Sequence, residues 1–184
     1  MKAIIDLETG GFSITKNAIC EIGILIINDA LEVVEERNFI IKPYTRPDSE
    51  ELVSYKEDAM AVNGISMEEI ENGEDVTDVC AHIWGLFTIH NVTGLIGHNL
   101  RKFDLPRLEY LLSRWRYIEE TLDSFEIEDT LELCRENLSL DCNKLADICD
   151  HFGIVNEDSH RAIGDCKATL EVYRLLTNSK EKIC

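Results

Sequence analysis

Asp6 and Glu8 stand at i and i+2 near the end of a short run, Lys2-Ala3-Ile4-Ile5-Asp6-Leu7-Glu8-Thr9, which Gly10-Gly11 closes. The run is too short for a helix, and its apolar start and glycine boundary fit a buried strand. Residues i and i+2 of a strand face the same way, so the two carboxylates share a side. Neighbouring anions repel, and burying them unpaired is unfavourable, so cations must offset them. A lone pair of this kind also fits a solvated strand end. Its place at the carboxyl end of a strand, where open α/β sheets carry their sites, favours chemistry.

Two further acids follow. Asp104 comes just after Gly97-His98-Asn99-Leu100-Arg101-Lys102-Phe103, and Asp165 lies in His160-Arg161-Ala162-Ile163-Gly164-Asp165. Each alone fits a helix-start acid suited to the macrodipole. Together with Asp6 and Glu8 they make four hard oxygen ligands, with no Cys–His cluster nearby. That set suits Mg²⁺ or Mn²⁺ rather than zinc. Two such ions about 4 Å apart clamp the attacking and leaving oxygens of a phosphoryl displacement. His160, five positions before Asp165, has the side-chain type whose proton affinity lies near neutrality and which serves as a general base.

The remaining pattern must position these residues. Ile19 to Ile27 reads as a second strand, Asn28-Asp29-Ala30 as a hairpin turn, and Leu31 to Ile41 as a third strand. Short turns make these three antiparallel. Residues 57–90 read as helix in two pieces broken at Asn63-Gly64, with Ser66 and Glu69 as a capping box and Asp75 as a second cap. Gly94 to Gly97 is a short apolar strand. Residues 102–117 read as an amphipathic helix with Phe103, Leu108, Leu111, Leu112 and Trp115 inward. Ser124 to Glu128 reads as a last strand, with Asp129-Thr130 opening a helix. Residues 143–152 and 162–177 read as helices, the first stopped by Gly153. The sum is an α/β fold: a mixed five-stranded sheet, three meander strands antiparallel and two parallel, flanked by helices.

The 184 residues suit one domain, read as 1–178 with a short tail at 179–184. No apolar run approaches a membrane span, and Met1-Lys2 leads straight into the first strand without a signal-peptide layout, so the expected location is cytoplasmic. The seven cysteines, odd in number and lacking C-x-x-C spacing, are expected to be reduced and mostly buried. A net charge of −18 argues against a protein that coats nucleic acid through Lys and Arg, but not against an enzyme whose site metal ions make positive. Arg101, Lys102, Arg107, Arg114 and Arg116 cluster, either as a solvated helix face or as a patch that steers phosphates.

At this point the chain resembles the DnaQ-like 3′→5′ exonucleases with an Asp-Glu-Asp-Asp-His site, on a ribonuclease-H-like fold. The motifs are Ile5-Asp6-Leu7-Glu8-Thr9-Gly10-Gly11, Gly97-His98-Asn99-Leu100-Arg101-Lys102-Phe103-Asp104, and His160 to Thr169. A histidine five positions before the last Asp matches the His-type subgroup; Arg161, Ala162 and Ile163 exclude the Tyr-type. Asp129-Thr130 and Lys144 to Ile154 resemble the connecting segments. The resemblance implies Asp6 bridging two Mg²⁺ or Mn²⁺ ions, Glu8 and Asp165 on the ion nearer the attacking water, Asp104 on the other, and His160 as base. It implies that backbone at Leu7, Thr9 and Gly10 receives a 3′-terminal nucleotide, with Asn99 near the backbone. Ile65 fits either a wedge on the terminal base or core packing. The implied substrate is single-stranded nucleic acid, DNA ahead of RNA. A polymerase or a second copy of the chain is the implied partner, and no membrane is. Gly10 stands where the family usually has threonine, and Asn63 where many members have histidine. The other readings are a non-catalytic module binding nucleic acid or protein on this fold, and a polymerase proofreading subunit. The short C-terminal tail favours a free-standing enzyme over that subunit.

Overall fold

The structure, a computed structural model, describes residues 1–113 and 122–181. A five-stranded sheet runs β3(Val33–Ile40), β2(Ile19–Ile27), β1(Lys2–Thr9), β4(Gly94–Gly97), β5(Glu126–Asp129). β1 to β3 are antiparallel, while β4 and β5 run parallel to β1. The helices are α1(Glu57–Asn63), α2(Met67–Glu71), α3(Val76–Ile89), α4(Asp104–Leu112), α5(Thr130–Asn137), α6(Leu145–Phe152) and α7(Ala162–Glu181).

β2 is buried along its whole length, as its apolar run, interrupted by Glu21, requires of a strand covered on both faces. One face carries Ala3, Ile5, Leu7, Ile22, Ile24 and Ile26 into the main core with Val79, Cys80, Ile83 and Phe87 of α3. The other carries Ile4, Leu25, Ile27 and Ile96 against Cys166, Leu170 and Tyr173 of α7. Alternation therefore sends Asp6 and Glu8, which share a side with Ile4, toward α7. Opposite them in register lie Gly23 and Glu21 of β2.

Gly23 sets how closely α7 can approach. A Cβ there would lie 2.5 Å from the Ala162 carbonyl carbon and 2.8 Å from the Ile163 nitrogen. The backbone of the first turn of α7 thus rests on the strand. Gly23→Ala is expected to destabilise the fold by about 1–3 kcal/mol and to push Asp165 away from Asp6. Denaturant unfolding checks the first effect and metal titration the second. Wild-type stability in Gly23→Ala would contradict this packing.

Some elements depart from the pattern read in sequence. The third strand begins at Val33 rather than Leu31. The Asn28 side chain accepts from the N–H groups of Ala30 and Glu32, and Leu31 adopts φ 59°, so the turn extends two residues further. Residues 57–90 form three helices, because Asn72 ends α2 and the side chain of Asp75 accepts from Thr77 N–H to start α3. The capping box at Ser66 and Glu69 is present. The amphipathic helix spans Asp104–Leu112, and Trp115, Arg114 and Arg116 lie outside the described residues. The last strand starts at Glu126, after a 3₁₀ turn at Leu122–Ser124. Gly153 closes α6 at φ 69°, in the left-handed region that glycine tolerates. Of the six described cysteines, Cys142 is exposed and the others are buried. Among the described residues, no helix is long and apolar enough to cross a membrane.

Candidate active site

β1 delivers Asp6 and Glu8, the N-terminus of α4 delivers Asp104, and the first turn of α7 delivers Asp165. These four line one cavity of about 560 Å³, with Asn99, Arg135 and Lys144 also on its wall. Asp104 is buried, and its Oδ1 accepts the Leu7 N–H at 3.1 Å, which ties α4 to β1 between the two acids of that strand. Asp165 Oδ1 accepts from Asn156 Nδ2 at 2.6 Å. One ring nitrogen of His160 and carboxylate oxygens of Glu8 and Asp165 lie within 4.8 Å of one another. His160 itself has φ 63°, and its N–H donates to Asp165 Oδ2 at 3.3 Å.

The electrostatics are those of crowded acids. Burial raises the proton affinity of Asp6 well above the carboxylate range, and Asp104, Asp165 and Glu8 add repulsion. Burial pushes Glu8 up to about 8, with Asp165 and Glu21 adding to it and Arg161 opposing it. Asp104 is likewise pushed up to about 8 by burial, against the Leu7 N–H and Arg107. Asp165 is raised by burial, with the Asn156 amide and His160 opposing. Such a site needs added positive charge near neutral pH, as protons or as metal ions. Its oxygen donors, with one imidazole beside them, fit a hard divalent cation.

A pH dependence follows for the metal-free protein. The folded values of Glu8 and Asp104 lie above the ordinary carboxylate values near 4 that the unfolded chain shows. Their stabilising contribution is therefore complete below about pH 4 and is lost as pH rises through about 8. With EDTA present, the melting temperature is expected to fall between pH 6 and pH 9, and Mg²⁺ should restore it at pH 9. A fall of the same size in Glu8→Gln would remove Glu8 from that account.

The other residues singled out in the sequence are placed as follows. Leu7 lines the cavity, but its N–H is taken by Asp104. Thr9 lines an adjoining cavity of about 570 Å³, which shares Glu8 and Phe103 with the first and includes Lys56 and Val62. Gly10 is buried; its N–H donates to Ala18 O, its carbonyl accepts from Lys56 N–H, and a Cβ would stand 2.9 Å from Ser54 O. The close approach that glycine permits here is therefore to the protein's own 54–56 segment. Ile65 is buried in the main core. Asn99 lines the first cavity at φ 61°, its N–H held by Asp129 Oδ1 at 2.8 Å. Among aromatic side chains able to stack on a base, Tyr44 is buried and Tyr55 half-buried, while Phe12 is 85% exposed beside the second cavity.

Arg107 is not part of a solvated patch. It is buried, lies 3.7 Å over the Phe103 ring, and donates to the carbonyls of Phe103 and Phe12. Arg101 pairs with Glu132. Sequence reasoning passed over Asn156, whose amide carried no local signal, and read Asp129 only as a helix start, which it is. Asp129 also accepts from the N–H groups of Arg101 and Leu131, and so fixes the 99–101 turn and caps α5.

Residues 3–173 match the profile of the RNase T exonuclease family. The chain belongs to the DnaQ-like exonucleases. The chain is 26% identical over 178 residues to the PolC-type DNA polymerase III of Ureaplasma parvum serovar 3, covering 96% of the chain and 11% of that protein. It is 25% identical over 180 residues to the PolC-type DNA polymerase III of Thermotoga maritima, covering 98% and 12%. The chain thus spans about a tenth of the length of these curated relatives. Its fold matches E. coli exonuclease I in complex with a dT13 oligonucleotide at TM-score 0.77 and 19% identity, over 100% of this chain and 42% of that one. The zinc ion bound form of the E. coli exonuclease I–ssDNA complex matches at TM-score 0.79 and 19% identity, over 97% and 40%. The mixed five-stranded sheet has the ribonuclease-H-like fold.

Proposed function

We propose that residues 1–178 form a metal-dependent 3′→5′ exonuclease domain acting on single-stranded nucleic acid, with DNA the favoured substrate. The observation that carries this is the meeting of Glu8, His160 and Asp165 within 4.8 Å beside Asp6 and Asp104, in a chain of this family. Asp6 would be shared by two ions, Glu8 and Asp165 would hold the one nearer His160, and Asp104 would hold the other. Mg²⁺ or Mn²⁺, when bound, neutralises the four carboxylates and stabilises charge on the phosphoryl oxygens.

The chain's own groups do the rest. His160 takes a proton from the attacking water as its oxygen bonds to phosphorus. The P–O3′ bond breaks, the released 3′ oxygen is protonated, and the product is a nucleoside 5′-monophosphate. Phe12, Phe103 and Val62 give the second cavity an apolar character suited to the terminal nucleoside, with Lys56 available to a phosphate. Arg135 and Lys144 supply cations on the wall of the first. The exonuclease I matches carry DNA oligonucleotides, which supports DNA ahead of RNA. The PolC-type relatives support a second reading, in which the same chemistry proofreads within a polymerase.

Product identity tests the proposal. An oligonucleotide labelled at its last internucleotide phosphate is expected to release labelled nucleoside 5′-monophosphate with Mg²⁺ and none with EDTA. Parallel DNA and RNA substrates rank the sugars. Release of nucleoside 3′-monophosphates, or of dinucleotides and longer pieces, would overturn it.

A further inference from the structure

Glu21 holds no ion in the assignment above, yet its side chain is fully buried one strand away from the site, opposite Glu8 in register. Its charge adds repulsion to Asp6, Glu8 and Asp165. An apolar residue would fill the same place without that penalty, and buried ion pairs are often no better for stability than apolar packing. The hydrogen bonds point to another role. Glu21 accepts from Arg161 Nε at 3.0 and 3.2 Å and from Arg161 Nη2 at 3.0 Å. It also accepts from Ala162 N–H at 3.1 Å and from Asn38 Nδ2 at 2.6 Å. The other end of the Arg161 fork reaches Glu69 Oε1 at 3.4 Å, and Glu69 is the capping-box acid of α2.

Arg161 follows His160, and Ala162 begins α7. Glu21 therefore grips the chain on the C-terminal side of His160 by both a side chain and a main-chain N–H. Such a grip matters for His160, because φ 63° is uncommon for any residue but glycine, although histidine adopts it more readily than most. Behind it, Arg161 N–H donates to Asp158 O, and Asp165 N–H donates to Arg161 O.

We infer that buried Glu21 and its half-exposed partner Arg161 form a positioning device. It holds the 158–162 turn in the strained shape that presents the His160 ring to Glu8 and Asp165. The inference rests on the proposed role of His160. Arg161 touches neither substrate nor ion in this account and acts only through its neighbour. Lysine cannot replace it, because a point charge does not reproduce a planar fork that reaches two carboxylates.

The test uses Arg161→Lys and the isosteric Glu21→Gln in the full chain, well below each variant's melting temperature. Single-turnover cleavage at saturating metal and oligonucleotide is expected to slow by at least about tenfold, as misplacement of a catalytic group does. KM and Mn²⁺ affinity by calorimetry should stay within about threefold of wild type. By NMR, the His160 imidazole resonance, assigned by its loss in His160→Ala, should move in both variants while the other histidines hold. A merely structural pair would lower the melting temperature and leave both the rate per folded molecule and that resonance unchanged, which would overturn the inference. Absence of cleavage in wild type would instead sink the exonuclease reading. The His160 resonance would still report whether the pair positions that ring.

Discussion

Asp6→Ala is expected to abolish nuclease activity while leaving the metal-free fold at least as stable as wild type. Asp6 sits where the repulsion of Asp104, Asp165 and Glu8 converges. In the proposed site it is the one carboxylate shared by both ions, so its loss weakens two ion sites at once. A bound ion contributes several kcal/mol of transition-state stabilisation. At about 1.4 kcal/mol per tenfold, that amounts to roughly 10³-fold or more in rate. The stability argument has the opposite sign. Asp6 ionises against burial and the charges of Asp104, Asp165, Glu8 and Glu21, so removing it relieves repulsion when no metal is present. The melting temperature in EDTA should hold or rise, most clearly at high pH, where wild type carries most of its charge. Mg²⁺, which should stabilise wild type, should do so far less in the variant. A purified Asp6→Ala protein with full activity would show that the cluster is not the site.

His160→Ala should separate chemistry from metal binding. A general base contributes about 10²–10⁴-fold, and the rate at saturating Mg²⁺ is expected to fall within that range. The carboxylates are placed by other contacts: Asp104 by the Leu7 N–H, Asp165 in large part by Asn156. Metal affinity should therefore change little. Equal losses in rate and in metal affinity would make His160 structural, or a ligand, rather than a base. A pH–rate profile adds a second readout, since the wild-type rise with pH that reports a base should flatten in the variant.

Much of this site was legible in the sequence because its acids sit at local signals. The strand period put Asp6 and Glu8 on one side, and the covered face on which they lie confirms that alternation. The apolar run of β2, the capping box at Ser66 and the stop at Gly153 are likewise short-range patterns with short-range physics. What stayed hidden depends on partners distant in the chain. Glu21 carries no local sign of its role within the second strand, because its partner Arg161 is 140 residues away. Gly23 looked like one more strand residue, and its role shows only when Ala162 rests on it. Gly10 read as room for a ligand, and the space is taken by Ser54 and Tyr55. Arg107 read as a surface cation, and Phe103 with two carbonyls has drawn it inside. The helix–strand boundaries that shifted, at Leu31 and Asn72, were set by side-chain hydrogen bonds to the backbone that propensity alone does not predict.

The most direct measurement is a time course on a 5′-labelled single-stranded DNA oligonucleotide, run with Mg²⁺, with Mn²⁺ and with EDTA, beside Asp6→Ala. The account predicts a ladder that shortens one nucleotide at a time from the 3′ end with either ion, and intact substrate with EDTA or with the variant. Intact substrate in every lane, together with no metal binding by calorimetry, would contradict it and leave a binding module on an exonuclease fold.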